Sequence, residues 1–166
     1  MPPPKLDSFV PTADFSDDVP ESIPLRTIAL RDYGGKMNFF GKISTVRCYE
    51  DNSMVSQMLD EPGQGGILFV DGGGSTIRAL FGDQLGAKAV KNGWSGVIIN
   101  GVIRDIAQLK SLNLGVKALG TCPRKSVKRN TGEKNVSCEV FGVVIEPGMF
   151  AMADEDGVVL LPKSKL

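Results

Sequence analysis

The 166-residue chain contains no histidine. That absence excludes Ser-His-Asp and Cys-His catalysis, histidine-ligated zinc and a histidine general base. Net charge is also missing, because 19 Lys and Arg balance 19 Asp and Glu. No overall basic footprint for nucleic acid results. No apolar run approaches the ~20 residues of a membrane span. The opening stretch MPPPKLDSF lacks the apolar segment that a secretory leader needs. Cysteine is scarce, and Cys48, Cys122 and Cys138 stand too far apart for a Cys-x-x-Cys site. An odd count without a leader points to a reducing compartment, and the three read as small buried apolar side chains.

What is present fits one domain, large enough for a real core. Six of the ten prolines fall in the first 24 residues. Residues 1–24 therefore read as an arm, with a short helix capped by Thr12 and carrying Asp14 in its first turn. The arm is expected on the surface or against a neighbouring subunit. Residues 25–163 alternate between strand and helix patterns. Strands are expected at Gly41–Tyr49, Gly66–Val70, Ser75–Phe81, Val97–Asn100 and Gly115–Gly120. Helices are expected at Asn52–Leu59, Asp83–Lys91 and Asp105–Leu112. Short strands follow at Ser137–Phe141, Val143–Ile145, Met149–Ala153 and Val158–Leu161, with Asp156-Gly157 as a tight turn. Strand–helix units followed by a strand-rich end indicate a mixed α/β domain.

The chemistry concentrates in two places. Gly82 allows close backbone approach, and Asp83 can cap the helix it opens. The N–H groups around Gln84 and Leu85 then face a small anion, favoured by the helix dipole. Arg104-Asp105 follows a buried strand, at the sheet edge where open α/β folds place ligands. A guanidinium can grip a carboxylate through two parallel hydrogen bonds. Asp105 is a hard oxygen ligand for a divalent cation. Two readings stand at this point: a ligand site, or a structural ion pair with two capped helices.

Thr12–Asp17, Leu68–Asp105, Leu114–Gly120 and Ala153–Pro162 resemble the family named for the regulator of ribonuclease E activity A. That family is similar in sequence to the 4-hydroxy-4-methyl-2-oxoglutarate aldolases. The similarity spans Thr12 to Pro162, and its most specific feature is Asp83 separated by twenty residues from Arg104-Asp105. The resemblance implies a swivelling β/β/α domain assembled as a homotrimer or hexamer, with active sites between subunits. Gly82, Asp83, Gln84 and Leu85 would hold a pyruvyl carboxylate and ketone. Arg104 would bind the same group, and Asp105 would hold Mg²⁺ or Mn²⁺. The implied reaction is a metal-dependent retro-aldol cleavage releasing pyruvate, with oxaloacetate decarboxylation as its companion. Both leave an enolate, which a metal and Arg104 would stabilise. Lyases of this family tend to read Arg-Asp-x-x-Glu/Asp, whereas this chain has Gln108, which cannot accept a proton as a carboxylate does. The departure bears on the aldol step more than on decarboxylation. The rival reading is a non-catalytic regulator that inhibits an RNA-processing assembly.

Other features carry less. Gly72-Gly73-Gly74 lacks the Gly-x-Gly-x-x-Gly spacing and reads as a tight turn, not a nucleotide or methyl-donor loop. Asp154-Glu155-Asp156-Gly157 reads as a hairpin. Lys88 and Lys91 read as solvated helix lysines, and Arg124–Arg129 as a solvated basic loop without aromatics for nucleic-acid stacking. Trp94 reads as core or subunit contact. Residues 164–166, Ser-Lys-Leu, have the form of a peroxisomal signal read by an import receptor. The expected compartment is a peroxisome or related microbody such as the glycosome, otherwise the cytoplasm.

Overall fold

A computed structural model describes residues 5–27 and 29–166. Its framework is a run of four parallel strands: β3 (Phe39–Arg47), β4 (Ile67–Asp71), β5 (Gly96–Ile103) and β6 (Gly115–Thr121). They are linked through α2 (Ser53–Asp60), α3 (Asp83–Lys91) and the single-turn α4 (Ile106–Leu109). Two more strands, β1 (Ile23–Pro24) and β2 (Arg31–Asp32), precede this run. β2 pairs antiparallel with β6.

β3 links the two halves of the sheet. Phe39–Lys42 pairs antiparallel with β10 (Phe150–Asp154), whereas Ile43–Arg47 pairs parallel with β4. The sheet thereby continues through β10 to β11 (Gly157–Leu161) and β1, and curls. β7 (Glu133–Lys134) adds to β3 off this path, and β8 (Cys138–Val140) with β9 (Val143–Ile145) forms a separate hairpin.

Period-two alternation sorts the side chains of the parallel strands into two cores, one on each face. Leu68, Val70, Val97 and Ile99 face the helices with Val55, Leu59, Ala89 and Leu109. Ile67, Phe69 and Ile98 face Cys138, Ile145, Ala151 and Leu160 on the strand-rich side. This gives the expected β/β/α layering. Lys117 also faces the strand-rich side, where its ammonium is 2.9 Å from Asp32 Oδ1 and donates to Asp154 O at 2.6 Å. Partnering of this kind is what lets a lysine lie buried.

Phe39 is fully buried over two glycines paired in register, Gly96 and Gly115. A Cβ at Gly96 would come within 2.3 Å of the Phe39 ring, and at Gly115 within 2.1 Å. Gly115→Ala should therefore destabilise the fold by about 1–3 kcal/mol through overpacking. Urea unfolding would read this as a lower midpoint at unchanged slope.

Several local expectations are corrected. The first helix, α1 (Thr12–Asp18), forms, but Pro11 is its N-cap. Thr12 instead reaches across to the hairpin: its N–H and Oγ1–H donate to Asp154 at 2.8 and 2.7 Å. The described part of the arm lies against its own chain, with Leu6, Phe9 and Val10 on Phe15, Met152 and Leu161; Met1–Pro4 lie outside the described residues. Ser75–Phe81 is not a strand. Its donors go to separate partners, Ala79 N–H to Arg124 O and Leu80 N–H to Val102 O, so only Ala79 makes bridges. The Asp105–Leu112 helix shortens to Ile106–Leu109 because the Ser111 and Leu112 N–H groups bond carbonyls only three residues back, Gln108 O and Leu109 O, and so leave the α-helical pattern.

Lys88 is not simply solvated. Its ammonium donates to Ser56 Oγ at 2.8 Å and lies 3.0 Å from Asp60, tying α3 to α2. Trp94 is a core residue, with Nε1–H donating to Glu61 O. Cys48 and Cys138 are buried, and burial foremost pushes their thiols up to about 12 and about 11. Cys122 departs from the expectation, being half-buried with its thiol donating to Ile77 O at 3.2 Å. No helix among the described residues is long and apolar enough to cross a membrane.

Candidate functional site

A register shift at the end of β5 sets up the site. Ile99 pairs with Ala118 and Val102 with Gly120, so β5 advances three residues while β6 advances two. The extra residue is a bulge, which re-aims the chain just before Arg104. The same end of β5 captures the approach to α3. Leu80 N–H donates to Val102 O at 2.9 Å, and Arg104 N–H to Phe81 O at 3.0 Å. Gly82 and Asp105 are thereby forced together: a Cβ on Gly82 would lie 2.6 Å from Asp105 Oδ2.

Asp105 adopts a left-handed backbone, φ 60°, a conformation that clusters at functional sites. Its carboxylate does not cap its own helix. Oδ2 accepts the N–H of Asp83 at 3.3 Å and lies 3.8 Å from Arg104 Nε. Asp83 in turn makes no side-chain cap; Gly82 is the N-cap and Asp83 the first helical residue. The first three N–H groups of a helix lack partners within it. Asp105 takes that of Asp83, and Gly86 N–H bonds Gly82 O at 2.9 Å. Gln84 and Leu85 supply the donors that remain in this turn.

These residues line a cleft of about 230 Å³. Its other wall comes from the basic loop expected in solvent, through Lys125, Ser126 and Lys128, with Asn52, Ala79 and Phe81 completing it. Only the charge of the Arg124–Arg129 run hinted at this, since nothing local says what a loop folds against. A second cleft of about 260 Å³ lies on Arg104, Asp105 and Ile106 together with Thr121, Cys122 and Pro123. Arg104 is steadied between them by Nη1–H donating to Pro123 O at 3.4 Å. The first cleft sets three cations, Arg104, Lys125 and Lys128, against two carboxylates, Asp83 and Asp105. Gln108 is exposed and lines neither cleft.

The donor set fits a hard cation that keeps much of its water. Mg²⁺ is usually bound by one or two carboxylates plus waters and substrate oxygens, and the cleft offers two, Asp83 and Asp105. No cluster of three or more His, Cys, Asp or Glu suited to a metal is found among the described residues. Gly72–Gly74 is a closed turn. Gly73 and Gly74 have φ of 65° and 70°, and a Cβ on Gly72 would strike Leu80 at 2.4 Å and Asn100 O at 2.8 Å.

A curled β/β/α sheet with a helix N-terminus, an arginine and an aspartate at one cleft defines a mixed α/β domain with its candidate site at the ends of the parallel strands. Residues 12–160 match the model of the RraA-like family, described as Aldolase/RraA, and the chain belongs to that family. It is 48% identical over 151 residues to a Photobacterium profundum protein named "Putative 4-hydroxy-4-methyl-2-oxoglutarate aldolase", covering 91% of this chain and 93% of that one. The RNA-processing inhibitor RraA from Thermus thermophilis superposes with a TM-score of 0.90 at 42% identity, over 94% of each chain. A Geobacillus kaustophilus structure named S-adenosylmethionine:2-dimethylmenaquinone methyltransferase gives 0.89 at 43% identity, over 93% of this chain and 96% of that one.

Proposed function

We propose that this protein is a divalent-metal-dependent carbon–carbon lyase that releases pyruvate from small oxo-diacids. Its substrates in this reading are oxaloacetate, by decarboxylation, and 4-hydroxy-4-methyl-2-oxoglutarate, by retro-aldol cleavage. The observation that carries the proposal is the meeting of Arg104, Asp105 and the open N-terminus of α3 in one cleft with a surplus of cations. The aldolase name of the Photobacterium relative supports the same direction.

Asp105 would hold Mg²⁺ or Mn²⁺, and the bound ion would act as a Lewis acid toward the substrate's oxygens. Arg104 binds the pyruvyl carboxylate and stabilises the negative charge that develops on the neighbouring ketone oxygen. Gln84 and Leu85 direct N–H groups to the same oxygens. Lys125 and Lys128 face the second carboxylate. Carbon dioxide loss needs only this electron sink, because the bond that breaks already carries a carboxylate. Retro-aldol cleavage also requires a base for the substrate hydroxyl, and Gln108 is neither acidic nor at the cleft. Oxaloacetate is therefore the favoured of the two substrates.

The test is pyruvate release from each substrate with Mg²⁺ or Mn²⁺ and then with EDTA, corrected for the metal-only rate. Chelator-sensitive turnover of oxaloacetate is expected, with the hydroxy-diacid slower. No enzyme-dependent turnover of either would turn the assignment to the rival, a binding protein that restrains an RNA-processing assembly, as the Thermus neighbour's name suggests. A homotrimer or hexamer and import through the exposed Ser164-Lys165-Leu166 belong to the same proposal. Loss of organelle localisation on deleting those three residues from a tagged chain would support the import step.

A further inference from the structure

The two cleft lysines reach their place through one buried carboxylate. Asp51, between β3 and α2, is 1% exposed. Its Oδ1 accepts the Ser53 N–H at 2.8 Å and the Ser53 hydroxyl at 2.6 Å. Its Oδ2 accepts the Arg129 N–H at 2.9 Å, the Thr131 N–H at 3.2 Å and the Thr131 hydroxyl at 2.8 Å. One oxygen thus fixes the start of α2 and the other the end of the basic loop. Burial by itself would raise the Asp51 carboxyl, but the hydrogen bonds from Ser53, Thr131 and Arg129 outweigh it and hold the group well below the usual carboxylate range.

The rest of the loop is pinned in step. Val127 N–H donates to Glu50 O at 3.0 Å, and Val127 bridges Asp51. The Ser126 hydroxyl donates to Ala79 O at 2.8 Å, while Ala79 N–H donates to Arg124 O at 2.7 Å. On the loop side these anchors come from the backbone and from the Ser126 and Thr131 hydroxyls, and none uses a lysine side chain. The ammonium groups of Lys125 and Lys128 form no ion pair among the described residues, although both line the cleft. A rigid loop bearing two uncompensated cations is preorganised for an anion, since little ordering remains to be done on binding.

Building on the lyase reading, we infer that Asp51 is a positioning residue for dicarboxylate recognition, holding Lys125 and Lys128 against the second carboxylate of the substrate. Asp51→Asn replaces one acceptor oxygen by an NH₂ group. That group would face either the Ser53 donors or the Arg129 and Thr131 donors, so one of the two arms is lost. KM for oxaloacetate should rise about tenfold, the usual order for loss of a charge-assisted contact, with kcat changed less than about threefold.

The test is calorimetric binding of malonate, a non-reacting dicarboxylate, and of pyruvate, a monocarboxylate, alongside oxaloacetate kinetics. The variants are Asp51→Asn, the milder Thr131→Val, which removes one hydroxyl donor to Asp51 Oδ2 and leaves the carboxylate in place, and each again in a Lys125→Ala/Lys128→Ala background. Expected are weaker malonate binding, unchanged pyruvate binding, and no further loss of malonate affinity when the lysines are already absent. Equal losses for malonate and pyruvate, full additivity with the lysine variants, or wild-type protein that does not bind malonate would each overturn the inference. Selective malonate loss in a wild-type background that turns over no substrate would leave the placement of Asp51 standing and remove the lyase reading instead.

Discussion

Arg104→Ala should lower kcat/KM for oxaloacetate by about 10²–10³-fold, the usual cost of removing one donor from a developing oxyanion. The guanidinium is held by Pro123 O on one side and approaches Asp105 at 3.8 Å on the other, so its direction is set before substrate arrives. Its side chain is 40% exposed and contributes little to the core, so the loss belongs to the reaction and not to the fold. Arg104→Lys should recover only part of the activity, because an ammonium cannot reproduce the two parallel bonds of a guanidinium. The measurement is steady-state pyruvate release beside a thermal melt. Wild-type turnover in Arg104→Ala with an unchanged melt would remove Arg104 from the mechanism.

The second large effect is expected from a residue with no functional group. Gly82 has φ −157° and ψ −162°, an extended backbone open to any side chain. Gly82→Ala therefore introduces no backbone strain. Its new methyl would instead lie 2.6 Å from Asp105 Oδ2 and 3.4 Å from Arg104 Cγ. The carboxylate must swing away and release the Asp83 N–H. Turnover should fall on the order of 10²-fold, matching the sensitivity of catalysis to misplacements of about 1 Å. Stability should drop by only about 1 kcal/mol, the price of Ala over Gly at an N-cap. Asp105→Asn should lower activity by a comparable factor with the backbone undisturbed. Saturation with Mn²⁺ distinguishes the two lesions from general damage: both variants should need more metal for half-maximal rate, while Gly115→Ala should not. Normal metal dependence in Gly82→Ala would show that Asp105 holds no ion.

The elements that came through from sequence are those whose own side chains decide them. α3 spans Asp83–Lys91 as read, because its apolar spacing and the Asn92-Gly93 stop act within a few residues. The parallel strands were legible because runs such as Ile67–Val70 are buried on both faces and need no polar side. The misses depend on partners far along the chain. Ser75–Phe81 has strand composition, yet its donors find Arg124 and Val102 before any continuous neighbour. Thr12 has the chemistry of an N-cap, but Asp154, 142 residues away, binds it better.

The site divides in the same way. Gly82, Asp83, Gln84, Leu85, Arg104 and Asp105 could be named from sequence, because a helix start and a strand end are local events that constrain which groups emerge there. That Asp105 turns to α3 and not to its own helix follows from the β5 bulge and the contact with Gly82, which arise only when two segments pack. Lys125 and Lys128 could be assigned to the cleft only from the folded structure. A charged loop has no intrinsic direction; a buried carboxylate with five hydrogen-bond donors gives it one. Sequence by itself determined the alternation of elements, the family and the emergence of Arg104-Asp105 at the end of a buried strand. Tertiary structure decided how those groups face each other and which cations join them, because hydrogen bonds between distant segments exist only after the sheet has closed.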